Sequence, residues 1–262
     1  MKAWVISLNP ESREVTQLIN SLRSSGLDTQ PFKAVDGRKS FPELEPGENI
    51  RQLKSLVNRR EPLTRSELGC YLSHYRAVKA AYQSGLSHIA IFEDDIAVEN
   101  NLQELFEAIR DLGDDAHLVR LMSLRRRKRK TLKMLTSTYQ LTRPMRGALG
   151  TQGYVLNRAG MKKIVDYGSD ITMAIDKLYD SFFLFGLKCY SIEPHAIHEL
   201  PSPSNVVKTD NNIDNRILIK LGWHLNKLYR SLWRHSHRLK HFSEFWPATN
   251  PPKDFGKTDR IH

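Results

Sequence analysis

The chain lacks most of the signals that would settle its class at once. It has only two cysteines, Cys70 and Cys189, far apart and outside any metal-type spacing. That count argues against a disulfide framework and a zinc ribbon, and it suits a reducing compartment. No run of about 18 apolar residues occurs, so no transmembrane helix is expected. The opening Met1–Leu8 stretch turns polar too soon for a signal peptide and reads as a strand that starts a domain. Gly-x-Gly-x-x-Gly, the Walker pattern and the Gly-x-Ser-x-Gly elbow are all missing, which leaves dinucleotide, P-loop and serine-hydrolase sites unsupported. Acid is absent from residues 216–242.

The chain does contain a strong basic surplus: 40 Lys+Arg against 29 Asp+Glu in 262 residues, a net charge of +11. This implies an anionic partner, whether nucleic acid, a membrane surface or a phosphorylated substrate. A hydrophobic fraction of 40% is enough to bury a real core. The length fits one large domain or one domain with an appendage.

Ala3–Leu8 reads as a strand closed by Asn9-Pro10, and Ser12 caps a helix to about Ser25. Phe32–Val35 reads as a second strand ending at Asp36-Gly37, which makes a βαβ start. Residues 38–62 read as a polar surface excursion. Thr64-Arg65-Ser66-Glu67 fits a capping box for a helix to about Ser84. Strands are expected at 88–92, 118–122, 151–156 and 188–192, with helices at 102–109, 157–167 and 175–185. Strands alternating with helices over the first 200 residues predict an α/β sandwich.

The most informative stretch is Ile89-Ala90-Ile91-Phe92-Glu93-Asp94-Asp95-Ile96. Three consecutive carboxylates repel one another, and an apolar strand gives them no reason to be there. Ligands of open α/β sheets sit at the carboxyl ends of strands, and hard divalent cations want oxygen ligands shared with phosphates. The triplet therefore predicts a Mn²⁺ or Mg²⁺ site for a diphosphate. A solvated turn that starts a helix would use the same residues.

Leu63-Thr64, then Glu67-Leu68-Gly69-Cys70-Tyr71-Leu72-Ser73-His74, followed by Ile91–Ile96, resembles glycosyltransferase family 25, which includes bacterial lipooligosaccharide galactosyltransferases. Val5–Leu8 with Arg13, Phe32–Gly37, and Gly150–Leu156 with Ala159-Gly160 agree in order and spacing along roughly residues 1–200. The resemblance implies a GT-A-type fold, a Rossmann-like mixed sheet flanked by helices. It also implies a nucleotide-sugar donor and a divalent metal at an Asp-x-Asp-like motif. Here that motif is Glu93-Asp94-Asp95, so either Glu93 or Asp94 shares the metal with Asp95. By the same resemblance Asp176 is the expected general base, with Asp180 one helical turn on as its competitor. His198, with His195 as the alternative, is a late metal or diphosphate ligand. His74 lies at the donor site. Ser7, Leu8, Arg13, Val35 and Asp36 hold the nucleoside, and Gln152, Gly153 and Tyr154 lie beside the transferred sugar. Each of these residues also fits plain turn chemistry, capping or packing.

Two basic segments remain. Arg125–Lys130 lacks the interleaved aromatics of a nucleic-acid patch and fits a surface loop or a phosphate-docking segment equally well. In the tail, Ile217, Leu218, Leu221, Leu225, Leu228, Leu232 and Leu239 share one helical face, with Lys220, Lys227, Arg230, Arg234 and Arg238 opposite and Trp223 and Trp233 nearer the flanks. A basic amphipathic helix with Trp is the interfacial pattern. Packing of its apolar face on the domain is the alternative.

These readings converge on a GT-A domain over 1–203 and a basic helical region over 204–262. The expected reaction is inverting transfer of a hexose, galactose by resemblance, from a UDP-sugar to a lipid-anchored oligosaccharide core. It would take place in the cytoplasm, on the inner face of a bacterial inner membrane. A nucleic-acid-binding protein or a non-catalytic membrane adaptor would use the basic segments, but neither explains the acidic strand end.

Overall fold

The computed structural model describes residues 1–125, 127–200 and 216–251. Arg126 and the expected boundary at 203–204 lie outside the described residues. The first half of the chain runs β1 (Lys2–Ser7), α1 (Arg13–Ser24), β2 (Asp28–Lys33), β3 (Asn49–Ile50), α2 (Gln52–Arg59), α3 (Arg65–Gln83), β4 (His88–Glu93), β5 (Ile96–Val98) and α4 (Gln103–Arg110). It continues through β6 (Leu118–Arg120), β7 (Arg129–Met134), β8 (Gln140–Pro144), β9 (Gly153–Asn157), α5 (Arg158–Gly168), β10 (Asp170–Ile171), α6 (Ile175–Asp180) and α7 (Phe182–Phe185). The last elements are β11 (Cys189–Glu193), β12 (Ile197–Glu199), α8 (Ile217–Lys240) and α9 (Phe242–Phe245).

An eight-stranded sheet in the order β2-β1-β4-β9-β6-β11-β8-β7 forms the centre. It is mixed: β1 runs parallel to β2 and β4, whereas β9 is antiparallel to both β4 and β6. Both faces are covered, which is why its inner strands read as continuous apolar runs. Alternation divides them: Trp4, Ile6, Ile89, Ile91 and Tyr154 join the core under α3, α5 and α6. Ala3, Val5, Ala90, Phe92 and Val155 join the core under α1 and α4. This is the α/β arrangement expected from the sequence.

The helix ends follow local chemistry. Ser12 Oγ accepts from Val15 N–H at 3.2 Å. Thr64 and Glu67 form the reciprocal capping box, at 3.1 and 2.9 Å. Elsewhere tertiary contact overrides the sequence reading. The expected strand at 32–35 is found earlier, at Asp28–Lys33, because its pairing partner β1 sets the register. Residues 38–62 hold α2, whose Asn58 and Val57 carbonyl accept from Asn226 of α8. The basic run is not all loop either, since Arg129 and Lys130 open β7 in an edge hairpin with β8. The helix expected over 175–185 breaks at Ser181, whose hydroxyl donates back to the Lys177 carbonyl at 2.7 Å.

The tail is built into the domain. Phe245 of α9 is fully buried. It lies over the buried Arg143 guanidinium, which also faces Tyr190 at 4.8 Å and Phe182 at 5.3 Å. No helix among the described residues is long and apolar enough to cross a membrane.

Candidate active site

The parallel strands β2, β1 and β4 end side by side, with Ile6 opposite Glu93 and Ser7 opposite Lys33. Ser7-Leu8, Val35-Asp36 and Glu93–Asp95 therefore share one sheet edge. Gln152 joins it, because its carbonyl accepts from Glu93 N–H at 2.9 Å. Backbone packing fixes the Val35–Gly37 loop there. A Cβ on Gly69 of α3 would lie 2.8 Å from both Val35 O and Gly37 N, and Ser73 Oγ accepts from Val35 N–H at 2.8 Å.

Glu93 is anchored from within. The Thr151 hydroxyl donates to its Oε1 at 2.5 Å, and His74 Nε2 lies 3.1 Å from the same oxygen. A carboxylate only accepts, so Nε2 carries the proton and, in the neutral ring, Nδ1 accepts from Tyr154 OH at 2.9 Å. Tyr154 in turn accepts from Tyr179 OH at 3.0 Å. Burial pushes Glu93 up, but the hydrogen bond from His74, its charge when the ring is protonated, and the Thr151 hydroxyl hold it below the usual value.

Asp95 is the opposite case. Its Oδ1 is buried without a hydrogen-bond partner. Burial, then the charges of Glu93, Asp94 and Glu199, push it up to about 7. An orphaned carboxylate oxygen among like charges is costly unless a cation answers it. The oxygen set of Glu93, Asp94 and Asp95 therefore fits a hard divalent ion such as Mn²⁺ or Mg²⁺. Cys70, His74 and Glu93 also bring one ligand atom each within 4.8 Å of one another, but a sulfur–nitrogen–oxygen set suits softer metals.

Cys70, one turn before His74 on α3, reaches solvent. The protein mass around it, then the charges of Glu93, Asp176, Glu67 and Asp95, push its thiol up. The charges of Glu93, Asp176 and Asp95 thus all act on Cys70. Asp176 stands in the first turn of α6, where its Oδ1 accepts from Lys177 N–H at 2.7 Å. Its carboxyl is raised, chiefly by burial, against the lowering effect of Lys177. Asp180 is committed elsewhere. It pairs with the buried Arg120 guanidinium at 2.7 Å and accepts from Leu149 N–H at 3.2 Å, so it pins the 147–150 loop.

The remaining expected residues are held as follows. Ser7 Oγ accepts from Asn9 N–H, and Leu8 O takes the Lys33 ammonium at 2.6 Å. Asp36 forks with Arg38 at 2.7 Å, and those hydrogen bonds lower it to about 2. Arg13 is exposed at the start of α1. Gln152 is buried with Oε1 unpartnered. The space beside Gly153 is filled, since a Cβ there would come 2.3 Å from Ile197 Cδ1. Tyr154 is fully buried and bonded to His74. His198 pairs with Glu99 at 2.6 Å, whereas Glu199 is the β12 side chain whose charge acts on Asp95. His195 Nε2 accepts from Ser123 N–H at 3.4 Å.

Thr151, Glu199 and the Arg120–Asp180 pair were missed from sequence. Arg120 gave a usable signal: it is a charge inside the expected apolar strand 118–122.

The model of "Glycosyltransferase family 25 (LPS biosynthesis protein)" matches residues 1–179. A "Putative glycosyltransferase" of Haemophilus influenzae is 26% identical over 69% of this chain and 63% of its own length. Human "Procollagen galactosyltransferase 2" is 26% identical over 62% of this chain and 27% of its own length. A rat relative, 27% identical over 41% of this chain and 19% of its own length, bears the name "Probable inactive glycosyltransferase 25 family member 3". The chain thus spans less than two thirds of the length of these relatives. Among solved structures, glycosyltransferase GlyE of Streptococcus pneumoniae aligns at a TM-score of 0.36 and 12% identity over 94% of this chain and 65% of that one, a likeness too low to argue from. On the match over residues 1–179, the chain belongs to glycosyltransferase family 25.

Proposed function

We propose that this protein is an active, metal-dependent glycosyltransferase that moves galactose, with inversion, from a UDP-sugar to a sugar hydroxyl of a lipid-anchored lipopolysaccharide core. The reading places it on the cytoplasmic face of a bacterial inner membrane. The observation that carries it is the orphaned Asp95 Oδ1 at the end of β4, among Glu93, Asp94 and Glu199. The human relative's printed name supports galactose as the sugar.

When bound, a divalent ion supplies Lewis-acid neutralisation of the departing diphosphate. The chain's own residues do the rest. Thr151 and His74 fix Glu93 through its Oε1 and leave Oε2 for a ligand. Asp176, raised by burial, takes the proton from the acceptor hydroxyl. The acceptor oxygen forms the new bond to the anomeric carbon as the bond to the phosphate oxygen breaks, and UDP leaves with that electron pair.

Against the nucleic-acid reading, two cations of the basic run are engaged within the domain: Arg127 donates to Gly147 O and Arg129 pairs with Glu193 at 2.7 Å. The test is UDP release from a panel of UDP-sugars, with Mn²⁺ and with EDTA. We expect metal-dependent release from UDP-galactose, cut by about 100-fold or more in Asp95→Asn, and loss of transfer to acceptor in Asp176→Asn. Full turnover by either folded variant overturns the assignment of that residue.

A further inference from the structure

Helix α8 is mounted the reverse of the usual way. Its charged edge faces the domain. Arg230 hydrogen-bonds Ser181 Oγ, and Arg230 and Arg234 each lie 5.6 Å from the Phe183 ring. Arg238 is buried, Asn226 bonds Asn58 at 2.9 Å, and Gly222 sits over Val57. The leucines face out: Ile217 is 82% exposed, Leu232 63% and Leu225 59%, and Leu218, Leu221, Leu228 and Leu239 are exposed with them. An exposed apolar stripe running from Ile217 to Leu232, with Leu239 beyond His235 and Ser236, marks an interaction site on a domain surface.

We infer that this stripe is a membrane-docking surface, on which α8 lies flat in the headgroup region of an anionic lipid bilayer. Charge identifies the occupant. Lys220 and Lys227 are exposed along one border of the stripe, with Tyr229, Trp233 and Lys240 along the other, and residues 216–242 contain no acid. Cations beside an apolar face, with aromatics at its margin, suit lipid tails under anionic headgroups. A second copy of this chain would bring the same lysine rows face to face with no carboxylate to answer them. The chain's segments outside the described residues, 201–215 and 252–262, offer only Val206, Val207, Ile213, Phe255 and Ile261 as large apolar residues, too few to cover the stripe.

The docking surface is also tied to the candidate active site. Ser181, the partner of Arg230, directly follows α6, which carries Asp176 and Asp180. A bilayer under α8 would therefore hold the α6 side of the cleft at a fixed height above the lipid. That arrangement suits an acceptor anchored in the same surface. The docking proposal itself stands on the exposed face and does not depend on the transferase reading.

The experiment is co-sedimentation of the full chain with vesicles of phosphatidylcholine alone and with about 30% phosphatidylglycerol, alongside light scattering for oligomeric state. The expected result is at least 10-fold tighter binding to the anionic vesicles. It should be lost in the triple variant Leu225→Glu, Leu228→Glu, Leu232→Glu, whose sites are exposed and whose thermal unfolding should match the parent. The double variant Lys220→Glu, Lys227→Glu should remove the preference for anionic lipid. The proposal is overturned if the parent chain ignores both vesicle types. It is equally overturned if the triple variant binds undiminished, or if light scattering shows a dimer that the triple variant dissolves.

Discussion

Helices α3 and α8 carry similar apolar periodicities and use them in opposite ways. In α3, Leu68, Tyr71, Leu72, Tyr75 and Val78 are all buried against the sheet. In α8 only Ile219 and Arg238 are buried, and the leucines of the same kind of stripe face outward. An apolar face shows where a helix would prefer to bury area, not which neighbour will cover it. Here α3 packs on the sheet face, whereas α8 packs on α2 and α7 at the domain surface and attaches through arginine, asparagine and aromatic contacts.

That contrast can be broken by substitution. Leu72→Ala should cost about 2–5 kcal/mol in urea unfolding, since it empties a site with no solvent access. Leu225→Ala, its counterpart in α8, should stay within about 0.5 kcal/mol. Equal costs would mean that α8 is covered in solution by something with the rigidity of a core.

The pH dependence of stability sharpens the comparison. His117, in the sheet domain, and His237, in α8, are both pulled down to about 4. Burial is the first cause for both; Lys163 and Lys188 add to it for His117, and His241 and Arg143 for His237. Each is neutral in the folded chain, while the unfolded chain takes up its proton near 6.5. Stability is therefore full above about 6.5 and falls as pH drops from there towards 4, by roughly 2 kcal/mol per histidine. His237→Phe, among Phe182 and Phe245 at 5.7 and 6.0 Å, should flatten part of that slope. An unchanged slope of urea midpoint against pH would assign it wholly to other groups.

A smaller effect tests the arginine attachment. Arg230→Ala with Arg234→Ala removes the bond to Ser181 and two guanidinium–ring contacts, and should cost about 1–2 kcal/mol. It should also raise hydrogen exchange along α8 before α3 changes. Protection lost equally in both helices would show one cooperative unit.

The site was partly legible for a specific reason. Glu93-Asp94-Asp95 stood out because like charges at the end of an apolar strand have no packing explanation. Arg120, a charge inside an expected apolar strand, also had no packing explanation, but its partner Asp180 lies 60 residues away, so sequence spacing could not join them. Glu199 reaches Asp95 only because β12 folds back on β5, beside the triplet. Asp180 competed with Asp176 from one turn away in the sequence, and the Arg120 guanidinium and the Leu149 amide claim it in the structure.

The sequence by itself determined what is local. It set the alternating strands of the α/β sheet, the capping box of α3, the amphipathic character of α8 and the carboxylates at the end of β4. These follow from side-chain periodicity and short-range hydrogen bonding, which operate within a few residues. Tertiary structure alone decided which way each amphipathic face turned, which carboxylates remained unpaired, and where β2 found its register. Those outcomes depend on which distant surfaces are still uncovered and which charges meet across the chain, and that pairing is set only once the sheet has assembled.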